Sequence, residues 1–378
     1  MTRPGSGPAL YVVSLAVAAA LAGCQASADH PLEAAPKGVA LTSAARTPSV
    51  SPQVSGTING LIAVSPASAR VVWAAGRAGT YVVTTDAGAT WRAGVVPGAE
   101  KLQFRDVEAV NAHTAYLLSI GTGTDSRIYK TTDGGATWTM QFQNQDPNAF
   151  YDCFSFWSAR RGLAFSDSVN GRFPVLRTQD GKTWQDIGDN LPKALDGEAG
   201  FSSSGTCVAT QGESRAWIGT GGAATARILA TRDGGNTWAA YATPLRGSPS
   251  AGVFTVAFRN RRDGLLGGGD LDPAAPPFDN VARSRDGGKT WKVAGKAPVG
   301  TIFGLAYSLD RDDDDGRDEH GHDAGAVATG PGGTAWSKDE GDTWTAFPGV
   351  TGYWAVAFAN EHDGWLVGTG GRILKIAF

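Results

Sequence analysis

Six copies of one short pattern, spread along a chain of 378 residues, constrain its fold more than any other feature. They run from Thr84 to Trp91, Thr131 to Trp138, Thr178 to Trp184, Thr231 to Trp238, Ser284 to Trp291 and Ser337 to Trp344. Each opens on Ser or Thr, carries an aspartate two positions on (Asp86, Asp133, Asp180, Asp233, Asp286, Asp339) and closes on Thr-Trp. The third copy is one residue short. Successive tryptophans lie 46 to 54 residues apart, a step that suits a unit of four short strands and is too long for a solenoid turn.

The residue types explain the pattern. Aspartate accepts hydrogen bonds from turn amides, glycine takes a positive φ, threonine caps the strand, and tryptophan buries a large ring against the neighbouring unit. A catalytic aspartate would not need repeating in every unit, so the six are read as structural. The pattern resembles the Asp-box, or BNR repeat, S/T-x-D-x-G-x-T-W. Ahead of each box the same elements recur: an apolar strand such as Phe104–Val110 or Tyr353–Phe358, a strand ending in Gly such as Val72–Gly76, and a third strand such as Arg127–Lys130. After Trp344 come three strand patterns and no seventh box. Three strands would leave an open edge, so a strand between residues 41 and 55 is expected to supply the fourth. The expectation is an all-β, seven-bladed β-propeller with its ring closed by an N-terminal strand. Six blades would leave residues 352–378 without a place.

The first residues read differently. Arg3, an apolar run from Tyr11 to Leu21 and the sequence Leu21-Ala22-Gly23-Cys24 make a leader that resembles a bacterial lipobox. Residues 1–24 are expected to be a lipoprotein signal peptide with Cys24 lipidated, 25–53 a flexible tether, and 54–378 the propeller. The apolar run is too short to span a bilayer, so the membrane is met through the lipid alone, in the cell envelope; Gln25 points to the outer membrane facing the periplasm. There Cys153 and Cys207, on consecutive inner strands, can be bridged or can be two buried thiols.

Composition excludes several function classes. With 33 basic and 36 acidic residues the net charge is −3, so no nucleic-acid footprint is present. The 52 glycines and 12 tryptophans fit many short strands and tight turns. The Gly-x-Gly strings lack the strand-to-helix setting of a phosphate loop. No His-Glu-x-x-His or Gly-x-Ser-x-Gly occurs, and two of the five histidines fall in the acidic run 310–323. That run does not fit an EF-hand, because Arg311 would stand at the first ligand position, and it is read as a solvated insertion. No metal, cofactor or catalytic triad is expected.

Loop length maps function onto one face. Ser166–Phe173, Asn190–Gly200 and Gly267–Val281, with the Gly-rich turns 121–125 and 219–226, fall on the face opposite the boxes, and long loops on a rigid scaffold carry binding. The candidates there are Arg105, Asp106, Glu108, Tyr151, Asp152, Asp167, Arg172 and Trp354, with Phe201, Phe254 and Phe303 beside them as aromatic rim. Taken whole, residues 55 to 378 resemble the bacterial relatives of the photosystem II stability and assembly factor family, through Phe104-Arg-Asp-Val-Glu108, Ser126-Arg-Ile-Tyr-Lys130, Gly171-Arg-Phe173 and Gly219-Thr-Gly-Gly222. The resemblance implies a non-catalytic monomeric propeller that binds a protein partner, such as a membrane complex during assembly. A carbohydrate-active propeller is the alternative: a glycoside hydrolase using Asp106, Glu108, Asp152 or Asp167, or a glycan binder.

Overall fold

The computed structural model describes residues 47–308 and 325–378. Cys24, the leader, the tether up to residue 46 and the acidic run 310–323 lie outside the described residues.

Seven four-stranded antiparallel sheets follow one another along the chain. Blades 1 to 6 occupy 61–95, 103–143, 151–186, 208–246, 251–293 and 304–346, and blade 7 begins at Tyr353–Phe358. In each blade the first strand is innermost, and the innermost strands touch their neighbours in a closed cycle from blade 1 round to blade 7. Seven apolar clusters fill the seven gaps between blades. The fold is a seven-bladed β-propeller.

Blade 7 has three strands of its own, and its fourth is Ser49–Gln53, which pairs antiparallel with Ile373–Ala377 from Ser49↔Ala377 to Gln53↔Ile373. Val50 packs on the cluster between blades 6 and 7. Pro52 is tolerated because this strand is an edge with no further ladder to donate to. The tether boundary placed at residue 53 is therefore too late: these five residues belong to the ring.

The boxes do what their residue types require. Thr90 donates its hydroxyl to Asp86 Oδ2 at 2.6 Å and its amide to Oδ1 at 2.9 Å, while Thr84 Oγ1 accepts the Gly88 amide at 2.9 Å. The Thr90 hydroxyl, its amide and Thr84 hold the Asp86 carboxyl down at about 2. Two consecutive positive φ angles turn each full-length box, as at Ala87 and Gly88 (64° and 85°). In the short third box Asp180 Oδ1 accepts the Lys182 and Thr183 amides and Oδ2 accepts the Thr183 hydroxyl. The tryptophans Trp91, Trp138, Trp184, Trp238, Trp291 and Trp344 each pack on the cluster shared with the preceding blade.

Polar latches run in the same direction. Tyr81 Oη donates to Gly135 O at 2.6 Å, Lys130 Nζ to Gly181 O at 2.8 Å, Arg177 Nη1 to Gly234 O at 3.1 Å and Trp217 Nε1 to Gly287 O at 3.0 Å. Each ties one blade to the box turn of the next.

A disulfide joins Cys153, on the innermost strand of blade 3, to Cys207, just ahead of that of blade 4, across 54 residues of sequence. Loop-closure entropy for a ring of this length is worth up to about 4 kcal/mol. Replacing both cysteines by serine should lower unfolding stability by about 2–4 kcal/mol. Urea denaturation with and without reductant checks this; an unchanged midpoint would assign the bridge no structural weight.

Candidate functional site

The second-to-third-strand turns and the blade-to-blade links share one face, and isolated bridges Thr122↔Phe150, Ala199↔Gly221 and Gly221↔Gly252 stitch them together. Part of the expected loop Gly267–Val281 is strand, since Gly264–Asp270 continues the sheet.

Beneath this face the innermost strands begin with a repeated irregularity. Register shifts between Leu61/Ala63, Phe104/Asp106, Tyr151/Cys153, Val253/Thr255 and Tyr353/Ala355 each leave one residue unpaired. Those residues are Ile62, Arg105, Asp152, Phe254 and Trp354. A bulge re-aims the extra side chain and is common beside functional sites, and here five bulges at one level form the neck of the central channel.

The neck is a continuous set of contacts. The Arg105 guanidinium lies 5.3 Å from the centre of the Trp354 ring. Trp354 meets Phe303 at 5.0 Å, Phe303 meets Phe254 at 6.0 Å, and Phe254 stacks on Phe201 at 4.0 Å. Arg105 also donates from Nη1 to Ser202 O at 2.9 Å. Burial, then repulsion from Arg77, lowers its pKa to about 10, with Asp152 pulling the other way. Its Nε is buried without a hydrogen-bond partner among the described residues.

Phe201, one of the rim aromatics, and Ser202 lie ahead of an innermost strand, because that of blade 4 starts only at Val208. They belong to the end of the link from blade 3 to blade 4, residues 199–207. Its Ser202 reaches Arg105 of blade 2, and Ser204 Oγ donates to Phe303 O of blade 6 at 2.6 Å. A link that touches blades 2 and 6 crosses the ring's centre and plugs the channel. Nothing in the run Ser202-Ser-Ser-Gly-Thr206 announces this, since it reads as an ordinary polar loop.

Asp152 and Asp167 come together against this plug: the Gly200 amide donates to Asp167 Oδ1 at 2.8 Å, and a Cβ at position 200 would lie 2.7 Å from Asp152 Oδ2, which is buried with no hydrogen-bond partner among the described residues. Two carboxyl groups set against the same glycine repel when both are ionised, and a proton held between them relieves the repulsion. Burial, then the neighbouring Asp167 charge, pushes Asp152 well above the ordinary carboxylate range; burial also raises Asp167.

The other candidates play different parts. Asp106 is buried, accepting the Val107 amide and, from blade 3, the Phe154 amide, both at 2.8 Å; it is a staple between two innermost strands, and its carboxyl also lies against Gly205 of the plug. Tyr151 is core, packed edge-on against Phe142. Arg172 lies on the flank, paired with Asp186 and Asp189 at 3.0 and 2.6 Å. Glu108 is near the far end of its strand. It lines a cavity of about 810 Å³ that opens toward the box face, with Trp157, Thr210, Gln211, Arg259 and Phe358. Sequence reasoning missed this cavity because channel width depends on blade number and tilt. So Arg105, Asp152, Asp167 and Trp354 come together, and Asp106, Glu108, Tyr151 and Arg172 do not join them.

No protein-family profile matches the chain, and no curated protein matches it. Solved structures do. YCF48 bound to a D1 peptide is 16% identical with a TM-score of 0.55, over 88% of this chain and 97% of that one. YCF48 from Cyanidioschyzon merolae is 15% identical with a TM-score of 0.59, over 87% and 98%. The GH74 xyloglucanase from Xanthomonas campestris is 15% identical with a TM-score of 0.55, over 86% of this chain and 53% of that one. These neighbours share the propeller. Identities this low carry the fold alone.

Asp106→Ala should cost about 2–4 kcal/mol, because it strands two buried amides. Arg172→Ala, removing a surface pair, should cost under about 1 kcal/mol. Parallel urea titrations decide; equal costs would contradict the division into staple and surface pair.

Proposed function

We propose that this chain is a non-catalytic scaffold that binds a polypeptide partner over the channel neck, and that lipidated Cys24 holds it at a membrane in the cell envelope. The observation that carries the reading is the half-exposed Arg105–Trp354 pair with Phe201 beside it. Arg and Trp are the types enriched where a few residues dominate protein binding, and a rigid ring presents them without ordering cost. The shared fold with YCF48, a protein seen with a D1 peptide, supports a protein ligand and fits a partner drawn from a membrane complex under assembly. The closed cycle of innermost strands supports reading the scaffold as a monomer.

The carbohydrate-active reading draws support from the xyloglucanase fold. Hydrolysis requires two free carboxyl groups facing each other across an open cleft. Here Asp152 and Asp167 are both set against Gly200 of the plug, Asp106 is filled by amides, and Glu108 is toward the far end of the channel.

The test is quantitative crosslinking from membranes of the source cell, with a photoreactive residue at position 201. The double variant Arg105→Ala/Trp354→Ala should lose at least roughly tenfold in capture of any partner. Arg261→Ala, on the box face, should lose nothing, and Cys24→Ala should move the chain to the soluble fraction. Full capture by the double variant, or binding of a glycan array in place of protein, would overturn the proposal.

A further inference from the structure

The plug is fastened unevenly. At its far end Cys207 is covalently tied to Cys153, and in its middle Ser204 bonds Phe303. Its leading end, Gly200 to Ser202, rests on the carboxyl pair of blade 3: the Gly200 amide donates to Asp167, and the Gly200 backbone lies against Asp152. Asp152 Oδ2 is buried and accepts no N–H or O–H bond from protein among the described residues. A Cβ at position 200 would come within 2.7 Å of that oxygen, so the backbone of the plug sits directly on the pair.

We propose that Asp152 and Asp167 hold one proton between them as a catch that seats the 199–207 plug, and that raising the pH releases the catch and withdraws Arg105 from the binding mouth. The proposal rests on the reading of the neck as a binding site and gives that site a regulator.

The balance of charges supports this. With the proton present, Asp152 donates to the Asp167 carboxylate, which also takes the Gly200 amide, so the pair carries one negative charge. Without it, two neighbouring carboxylates repel, and Asp152 is almost fully shielded from the water that would screen them. The charged groups facing the pair are few. Arg105 reaches it from blade 2, with Arg77 behind. The plug contributes only the Ser202 hydroxyl and the Gly200 amide, and the neighbouring disulfide does not titrate. One guanidinium cannot both satisfy a second carboxylate and remain over Trp354 while holding Ser202 O, so loss of the proton draws Arg105 off the aromatic ring.

The sign follows from linkage. The seated plug keeps the proton to higher pH than the exposed carboxyl groups would, so seating is fully stable below about pH 4 and weakens as pH rises through the raised value of the pair. In that window opening should grow easier by about tenfold per pH unit, one proton being released with each opening.

Hydrogen exchange of the Gly200 to Cys207 segment reads this directly, as protection corrected for the intrinsic pH dependence of exchange. In the wild type, protection should fall by about tenfold per unit above pH 4 until it levels off. Asp152→Asn replaces the shared proton with an amide that donates to Asp167 at any pH, and should make the profile flat; Asp167→Asn should flatten it independently, with the segments of other blades unchanged in both. A flat wild-type profile, or an identical slope in wild type and both variants, would overturn the proposal. The readout needs no partner, so failure here with capture at residue 201 intact would remove the catch and leave the binding site, whereas the expected slope without any capture would leave the catch and remove the binding site.

Discussion

Ring closure depends on a single five-residue pairing, Ser49–Gln53 against Ile373–Ala377. Every other blade is built from one continuous stretch of chain, so its sheet forms locally at small loop-closure cost. Among the described residues this is the one strand pairing that joins the two ends of the propeller, and the apolar cluster between blades 7 and 1 packs the same seam. It also extends the latch system across the seam: Gln53 accepts the Trp91 indole at 3.0 Å and donates to Ala87 O at 3.3 Å, matching the way Gln141 of blade 2 serves Trp184 and Gly181 of blade 3. The N-terminal strand therefore completes blade 7 and clamps blade 1 in one move.

Carboxyl groups in this molecule are tuned in opposite directions by the same chemistry. At the outer turns, donors surround an exposed carboxylate, and Asp86 and Asp133 fall to about 2. They stay ionised through the physiological range and lose their contribution only as pH falls through that value. Near the ring's centre, burial outweighs the available donors, and Asp106, Asp152 and Asp167 rise. The box aspartates can thus serve as fixed structural anions, while the neck pair is the place where protonation can couple to conformation.

The architecture was legible because each blade repeats its own instructions. The Thr-x-Asp and Thr-Trp spacing marks the turn between third and fourth strands, and three strands after Trp344 without a box require a fourth from elsewhere. The neck was legible in part. Residues opening the innermost strands could be counted from the repeat, which brought Arg105, Asp152 and Trp354 into view. Sequence spacing could not say which of two adjacent residues a bulge turns out of the sheet, so Asp106, whose carboxyl is filled by two strand amides, and Tyr151, which packs in the core, stand in the same group as Arg105 and Asp152. Nor could it show that the link ending at Cys207 crosses the axis, because that path is set by contacts with Arg105 and Phe303, about a hundred residues away on either side.

The most direct measurement is a comparison of two truncations by equilibrium unfolding. A chain starting at residue 47 should unfold in one cooperative transition like the full-length protein. A chain starting at residue 54 lacks the closing strand and should lose that single transition, unfolding at lower denaturant with exchange spreading from blades 7 and 1. Identical unfolding of the two chains would contradict closure by Ser49–Gln53.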